Sequence, residues 1–155
     1  MYLVVNEWLP DYFLREAADK EKGQLKEFLN KFLVRNDVLY VQVGGPFEAK
    51  IHKFAKDNQQ YPIYQDIKRF ISTVLVNSQR CVLVKDKPAL PRNVEKLLSV
   101  GNYGSDRYLF ETAWQLPENA PRIIITADAR LKSQMDENGY FEVILLSDFL
   151  KTYYK

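Results

Sequence analysis

Apolar positions along the chain recur with two spacings, which together predict helices alternating with strands. Apolar residues at i, i+3, i+4, i+7 and i+8 over residues 25–33 indicate an amphipathic helix, and residues 63–75 follow nearly the same spacing. Short continuous apolar runs are typical of buried strands. Such runs occupy residues 2–5, 38–43, 81–84, 123–125 and 143–146.

Caps and helix-breaking residues predict further helices between these strands. They cover residues 47–57, 92–100, 105–116 and 128–135, with a final helix near the C-terminus. Gly101 is expected to follow the second of these helices as its C′ residue, and Ser147 to be the N-cap of the final one. Gly44, Gly45 and Pro46 lack the spacing of a phosphate-binding loop and indicate a turn, with nucleotide binding as a remote alternative.

Short apolar strands alternating with helices predict a mainly parallel sheet that is buried on both faces, in an α/β sandwich. No internal repeat, low-complexity tract or Gly/Ser linker interrupts the chain, so we expect residues 1–155 to form a single domain. In such folds ligands bind at the carboxyl ends of the strands, where loops and helix N-termini meet. Candidate chemistry is therefore sought at that edge.

Composition narrows the possible chemistry. The chain is 46% hydrophobic and 27% charged, as in ordinary globular proteins, and its apolar runs are much too short to cross a membrane. The first residues lack the pattern of a signal peptide, which predicts a cytoplasmic protein. One histidine, His52, and one cysteine, Cys81, exclude a zinc site built from these residue types. We expect His52 on the surface and Cys81 in the core, so carboxylates must carry any catalysis.

Three acidic or amide-bearing segments are expected at the carboxyl edge. Asn6 and Glu7 follow the first strand, Asp128 follows the strand 123–125, and Asp106 opens a helix on its core-facing stripe. Asp128 taken alone is first of all an N-cap candidate. Acids that converge in one cleft would favour a hard divalent cation, Mg²⁺ or Mn²⁺, which can activate water for attack on a phosphodiester.

Two of these segments carry a family resemblance. Residues 105–113, SDRYLFETA, and residues 123–131, IIITADARL, resemble the C-terminal half of a PIN domain, in which an aspartate opens a helix and a later strand ends in Thr-x-Asp. The tail 143–153, VILLSDFLKTY, is also similar. The order of elements agrees over nearly the whole chain, whereas the motifs cover its C-terminal third and its first dozen residues.

The resemblance implies a three-layer α/β/α fold and a PIN-type, Mg²⁺- or Mn²⁺-dependent ribonuclease, a hydrolase of RNA that is often the toxin of a toxin–antitoxin pair. Its partners would be RNA and an antitoxin protein, with no membrane. The family's acids carry over to Asp106 and Asp128 and, on a looser match, to Glu48. Where the family has its first aspartate this chain has Asn6, with Glu7 next. The predicted catalytic residues are Asp106, Asp128, Asn6, Glu7 and Glu48, and the predicted metal ligands are Asp106, Asp128 and Asn6.

Other interpretations stay open beside this one. Asn6 lacks the charge of an aspartate, so Glu7 must substitute for it if the site is to hold metal well; otherwise the protein is a silent PIN-like module that binds RNA or a protein. Glu111 is expected on the flank of the site. The segment 80–96 has three excess positive charges, which indicate either RNA contact or a solvated face. Tyrosines at 103, 153 and 154 are expected to be exposed and to form a possible homodimer face.

Overall fold

A five-stranded parallel sheet forms the centre of the computed structural model, which describes all 155 residues. The strands lie in the order β3-β2-β1-β4-β5, and every neighbouring pair is parallel. Their bounds are β1 (Tyr2–Val5), β2 (Val38–Gln42), β3 (Cys81–Val84), β4 (Ile123–Thr126) and β5 (Glu142–Leu145). Helices flank this sheet, which confirms the predicted three-layer α/β/α sandwich.

Eight α-helices connect and cover the strands. They are α1 (Trp8–Phe13), α2 (Asp19–Val34), α3 (Pro46–Asp57), α4 (Ile63–Phe70), α5 (Arg92–Val100), α6 (Arg107–Trp114), α7 (Ala129–Gln134) and α8 (Leu146–Thr152). A π-helical segment, Ile71–Leu75, continues α4, and a 3₁₀ turn, Gly104–Asp106, precedes α6. No helix combines the length and the apolar character that crossing a membrane requires.

The core is built around the ring of Phe28, which is fully buried on α2. Trp8, Phe32, Phe149 and Tyr154 pack against it with ring centroids between 5.3 and 6.2 Å from its own. The expectation of an exposed tyrosine face is wrong for Tyr154, which is fully buried, while Tyr103 and Tyr153 are half-buried and pack against the core. Tyr154 therefore belongs to the core, and a homodimer face stays a prediction for Tyr103 and Tyr153.

Tyr154 also satisfies a buried charge. Its hydroxyl donates to Oδ2 of Asp37 at 2.5 Å, and only 2% of Asp37 is exposed. A buried carboxylate without a partner would be strongly destabilising. The hydroxyl of Tyr154 thus supplies a hydrogen bond to Asp37, an acid that lies between α2 and β2.

Two helix ends differ from the predictions. Gly101 has a right-handed φ of −84°, and the left-handed residue is Asn102, with a φ of 59°. Gly101 is required for another reason, because a Cβ there would lie 2.1 Å from the ring of Tyr103. Ser147 lies inside α8, whose N-cap is Leu145 and has no side-chain capping bond. The strand ends one residue earlier than expected, so the helix begins before the serine.

Arg80 does not serve the predicted basic surface. Its guanidinium donates to the backbone carbonyls of Phe32, Leu33 and Asp37, with the bond to Leu33 at 2.6 Å. These carbonyls belong to the last turn of α2 and the residues after it, where unpaired oxygens carry the negative end of the helix dipole. Arg80 therefore caps α2 at the amino edge of the sheet, away from the carboxyl ends of the strands.

Candidate functional site at the carboxyl edge

The carboxyl ends of β1 and β4 bring Asn6 next to Thr126. The two strands are neighbours, with Val5 opposite Ile125, and the backbone N–H of Asn6 donates to the carbonyl of Ile125 at 3.2 Å. The Asn6 side chain donates from Nδ2 to Oγ1 of Thr126 at 2.7 Å. The same hydroxyl oxygen accepts the backbone N–H of Asp128 at 3.0 Å. Thr126 thus joins Asn6 to the loop that carries Asp128.

The other end of the Asn6 amide is also engaged. Its Oδ1 accepts the backbone N–H of Trp8 at 3.3 Å, which is the two-residue turn that asparagine favours where a strand ends. Sequence reasoning expected Asn6 as a metal ligand. In the structure Asn6 joins the start of α1 to Thr126, with one N–H donating to the Thr126 hydroxyl and Oδ1 accepting from Trp8. Its role as a metal ligand stays a prediction.

Glu7 turns toward the same edge because β1 ends at Val5 and α1 begins at Trp8. Its carboxylate pairs with Nζ of Lys50, on α3, at 3.2 Å from Oε1. Lys50 also contacts Asp11 at 3.0 Å. The role of Lys50 was not predicted from the sequence. The signal for it is the four-residue spacing of Glu7 and Asp11, which puts two negative charges on one helix face, where a positively charged side chain stabilises them.

Asp106 sits at the N-cap position of α6, but its carboxylate makes no capping bond. It is half-buried, and burial together with the negative charges of Asp128 and Glu7 raises the pKa of Asp106 to about 6. A neighbouring like charge disfavours ionisation, so Asp106 lies close enough to Asp128 and Glu7 for their charges to act on it. The carboxyl edge therefore holds an acidic cluster, defined as Glu7, Asp106 and Asp128.

Asp128 is exposed and caps α7, as its position in the sequence predicted. Its Oδ1 accepts the backbone N–H groups of Arg130 at 2.9 Å and Leu131 at 3.2 Å. One carboxylate oxygen is thus committed to the helix. Oδ2 makes no hydrogen bond to the protein and remains free to bind a ligand in the acidic cluster.

The structure does not bring Glu48 to the acidic cluster. Its Oε1 accepts the backbone N–H of Gly44 at 3.1 Å and so closes the turn between β2 and α3. Gly44 has a φ of 69°, a left-handed conformation that suits glycine, and the Gly-Gly pair is the predicted turn. Glu48 therefore stabilises a loop.

Glu111 lies beside β2. It is buried, with Oε1 accepting from Nε2 of Gln42 at 3.3 Å and Oε2 lying 3.5 Å from Nε of Arg107. Both oxygens already have partners. Arg107 also forms an ion pair with Glu95, which lowers the pKa of that glutamate, so this part of the edge is held by an ion-pair network.

Tyr108 contributes a buried hydroxyl that sequence reasoning did not consider. The residue lies on α6, is 7% exposed, and its hydroxyl has no hydrogen-bond partner in the protein. Burial and the negative charges of Glu7, Asp106 and Asp11 raise the pKa of Tyr108 well above its usual range. A tyrosine two residues after an active-site candidate is the only signal in the sequence, and tyrosine at a core-facing position usually indicates packing alone.

The donor set suits a small, water-retaining cation. No three histidine, cysteine, aspartate or glutamate side chains converge closely enough to hold a metal ion entirely by themselves. Mg²⁺ needs fewer, because it keeps several water molecules and is usually bound through one or two carboxylates together with a substrate phosphate. Asp106 and Asp128 could supply those carboxylates, and a bound cation would relieve the mutual repulsion that raises the pKa of Asp106.

A groove of about 520 Å³ lies elsewhere, between α1, α2 and α4. The acidic cluster lies outside this groove, and its Asp128 is exposed to solvent. Its role must be inferred from its own residues, because no protein-family model, curated protein or solved structure matches the chain.

Proposed function

We propose that the protein is a PIN-type, Mg²⁺- or Mn²⁺-dependent ribonuclease whose site is the acidic cluster. This is supported most directly by the position of Asp106, a half-buried carboxyl group whose pKa is raised by burial and by the negative charges of Asp128 and Glu7. Carboxyl groups with shifted pKa values cluster at functional sites. They lie where parallel α/β folds bind ligands, and Asp106 and Asp128 are the residues that match the PIN motif.

Asp106 and Asp128 would hold the cation, with Glu7 beside them. When bound, a divalent cation lowers the pKa of a water molecule and stabilises charge on phosphoryl oxygens. Asn6 and Thr126 hold the Asp128 loop against the end of β1, which fixes one carboxylate relative to the other. Positioning of this kind contributes directly to rate, because a misplaced group loses most of its effect.

The substrate we propose is RNA, cleaved by hydrolysis of a phosphodiester. The oxygen of water adds to phosphorus, the bond to the leaving oxygen breaks, and that oxygen takes up a proton. An acidic edge repels phosphates, so a nearby cation is needed to hold the strand. Arg130, which is exposed two residues after Asp128, is the side chain we assign to this contact. The protein partner we propose is an antitoxin that blocks the enzyme in a toxin–antitoxin pair.

The test is cleavage of labelled RNA with Mn²⁺ by the wild type and by Asp106→Asn and Asp128→Asn, each purified identically. Asp57→Asn is the matched control, because Asp57 is an exposed aspartate at the end of α3, far along that helix from the carboxyl edge. We expect cleavage by the wild type and the control, with a loss of at least a hundredfold in both site variants. Equal cleavage by all four proteins would identify a contaminant and refute the proposal.

A second function, a silent PIN-like module that binds RNA, is favoured by one observation. Asn6 stands where the family has an acid, its amide is hydrogen-bonded to Thr126 and to the backbone of Trp8, and the adjacent Glu7 is paired with Lys50. This module would bind RNA with a strong salt dependence and leave it intact. RNA retardation that is unchanged by Mn²⁺ or by Asp106→Asn, without cleavage, would favour this alternative.

A further inference from the structure

The groove between α1, α2 and α4 has two walls that stand apart above an apolar floor. Helix α1 packs against both α2 and α4, whereas the backbones of α2 and α4 make little direct contact with each other. The buried rings of Phe13, on α1, and Phe70, on α4, form part of the floor, with their centroids 5.5 Å apart. The three helices therefore leave an open trough of about 520 Å³.

The two walls of this groove have the length and the repeat of a docked helix. On α2 the lining positions run from Lys22 to Leu33 and recur every three or four residues. On α4 and the π-helical segment after it, they run from Ile63 to Val74 with the same recurrence. At a rise of about 1.5 Å per residue, the α2 wall is about 16 Å long, or about three helical turns. Side chains of a third helix would interdigitate between such walls.

The rim of the groove carries an excess of positive charge that the protein does not neutralise. Four cations and one acid line it, and all five side chains are exposed. None of the five forms an ion pair within the chain, whereas a lysine on α3 and another on α7 each pair with an aspartate one turn away. The rim residues are Arg15, Lys22, Lys26, Arg69 and Asp66.

Two of the rim cations are held in place without an acidic partner. The ammonium of Lys22 donates to the backbone carbonyl of Arg15 at 2.9 Å. The guanidinium of Arg15 lies over the ring of Tyr61, 4.1 Å from its centroid. Side chains that are already ordered lose less entropy when a ligand binds. These cations therefore present fixed positive charge at one end of the groove.

We propose that this groove docks an acidic amphipathic helix of a partner protein. Apolar side chains spaced three and four residues apart on that helix enter the trough between α2 and α4, which is the usual way in which a helix binds a groove. Its carboxylates face the cations of the rim, and this complementarity selects acidic partners and speeds their association. The inference uses no metal, no RNA and no residue of the acidic cluster, so it stands independently of the proposed ribonuclease activity.

The experiment measures the binding of two synthetic peptides to the full chain by fluorescence polarisation. Each peptide has about 12 residues and is held helical by a hydrocarbon staple, because free helices of this length are marginal in water. Both carry the same leucine face, which is flanked by glutamates in one peptide and by lysines in the other. The proteins are the wild type, the rim variant Lys26→Glu/Arg69→Glu and the floor variant Leu29→Ser.

Each variant has a matched control outside the groove. Lys20→Glu/Arg92→Glu reverses two exposed cations that belong to no ion pair, and Val34→Ser replaces an apolar side chain that is 82% exposed on the same helix as Leu29. Thermal melting of every protein checks that it is folded. The rim variant keeps the test valid if Leu29→Ser unfolds the chain, because Lys26 and Arg69 are both exposed.

We expect the glutamate peptide to bind the wild type at least about tenfold more tightly than the lysine peptide. The rim variant should reverse this preference, since its charges are reversed. The floor variant should weaken binding of the glutamate peptide about tenfold, because Leu29 is a half-buried apolar contact at the middle of the α2 wall. Both control variants should bind like the wild type.

Several results would overturn the proposal. They are binding of neither peptide, equal binding of both, and a preference for glutamate that survives in Lys26→Glu/Arg69→Glu. Two further measurements test other occupants of the groove. Sedimentation of the protein alone would identify a second copy if it showed a dimer that Leu29→Ser dissociates. Binding to phosphatidylglycerol vesicles that is lost in the rim variant would identify an anionic membrane instead of a partner helix.

Discussion

Asp128 carries two separable roles, a helix cap and a negative charge, and substitutions can divide them. Asp128→Ala removes both roles. Asp128→Asn keeps an oxygen that can accept the N–H groups of Arg130 and Leu131, and asparagine caps helices about as well as aspartate. The two variants therefore share the loss of charge and differ in the cap.

The expected stabilities without metal follow from these contacts. Loss of the N-cap costs about 1 kcal/mol, within a range of about 0.5–2, so Asp128→Ala should melt roughly 2–4 °C below the wild type for a chain of this length. In Asp128→Asn the lost helix-dipole attraction, about 0.3–1 kcal/mol, is offset by relief of the repulsion with Asp106. That variant should melt close to the wild type.

A saturating divalent cation should separate the proteins differently. At a concentration of Mn²⁺ that is 100 times the Kd, the wild type gains about 2.7 kcal/mol, or roughly 5–11 °C. Both variants lack one of the two carboxylates that would hold the ion, so neither should gain an appreciable part of this. Without Mn²⁺, Asp128→Asn should therefore be nearly as stable as the wild type. With Mn²⁺, it should be clearly less stable than the wild type, which alone is stabilised by the ion.

Differential scanning calorimetry at pH 7, with and without Mn²⁺, gives the melting temperatures of the wild type, of both Asp128 variants and of a control. Asp57→Asn controls for the loss of one exposed aspartate charge. If Mn²⁺ stabilised Asp128→Asn as much as the wild type, Asp128 would be a helix cap only and the assignment of a metal ligand would be wrong. If Asp128→Asn lost as much as Asp128→Ala without metal, the offset between dipole and repulsion would be wrong instead.

Two further predictions concern stability. The folded protein holds the Asp106 proton more tightly than the unfolded chain, because the pKa of Asp106 is raised from 3.8 to about 6. The stability that this group contributes is therefore present at low pH and lost as the pH rises from about 4 to about 6. In urea unfolding, the wild type should lose stability relative to Asp106→Asn between pH 4 and pH 6.5. If the free energies of unfolding of the two proteins changed with pH in parallel, the raised pKa of Asp106 would be wrong. In the core, Phe28→Ala should cost about 3–5 kcal/mol in urea unfolding, whereas Val34→Ala, at a position that is 82% exposed, should stay within about 0.5 kcal/mol.

The sheet was predictable because its strands are continuous apolar runs separated by helices of regular period. Strand β4, for example, which lies between β1 and β5, is buried at every position from Ile123 to Thr126, so no exposed position interrupts the pattern. Helix α1 was not predicted, since six residues are too few to show a period. Helix α5 covers the predicted residues 92–100, and only the role of Gly101 differs, because the left-handed residue is Asn102. The start of α8 was misplaced, because the helix begins at Leu146, before Ser147.

The site was predictable only as far as strand ends and short motifs go. Topology alone brings the predicted site residues to the carboxyl edge of the sheet, because each follows an element that ends there. These residues are Asn6, Glu7, Asp106 and Asp128. The contacts of Glu48 with Gly44 and of Glu7 with Lys50 depend on where each side chain turns, which no spacing encodes. Tyr108 is the clearest case, because its ring follows the core pattern and only its buried hydroxyl oxygen, which has no partner in the protein, sets it apart.

The ring cluster around Phe28 has a consequence for synthesis on the ribosome. Phe28 belongs to the second helix, yet two of its partners, Phe149 and Tyr154, come from the last turns of the chain. The central strand β1 likewise waits for β4 as its second neighbour. A nascent chain that has not passed residue 154 therefore leaves aromatic surface uncovered and available to chaperones, and the domain closes in a single late step.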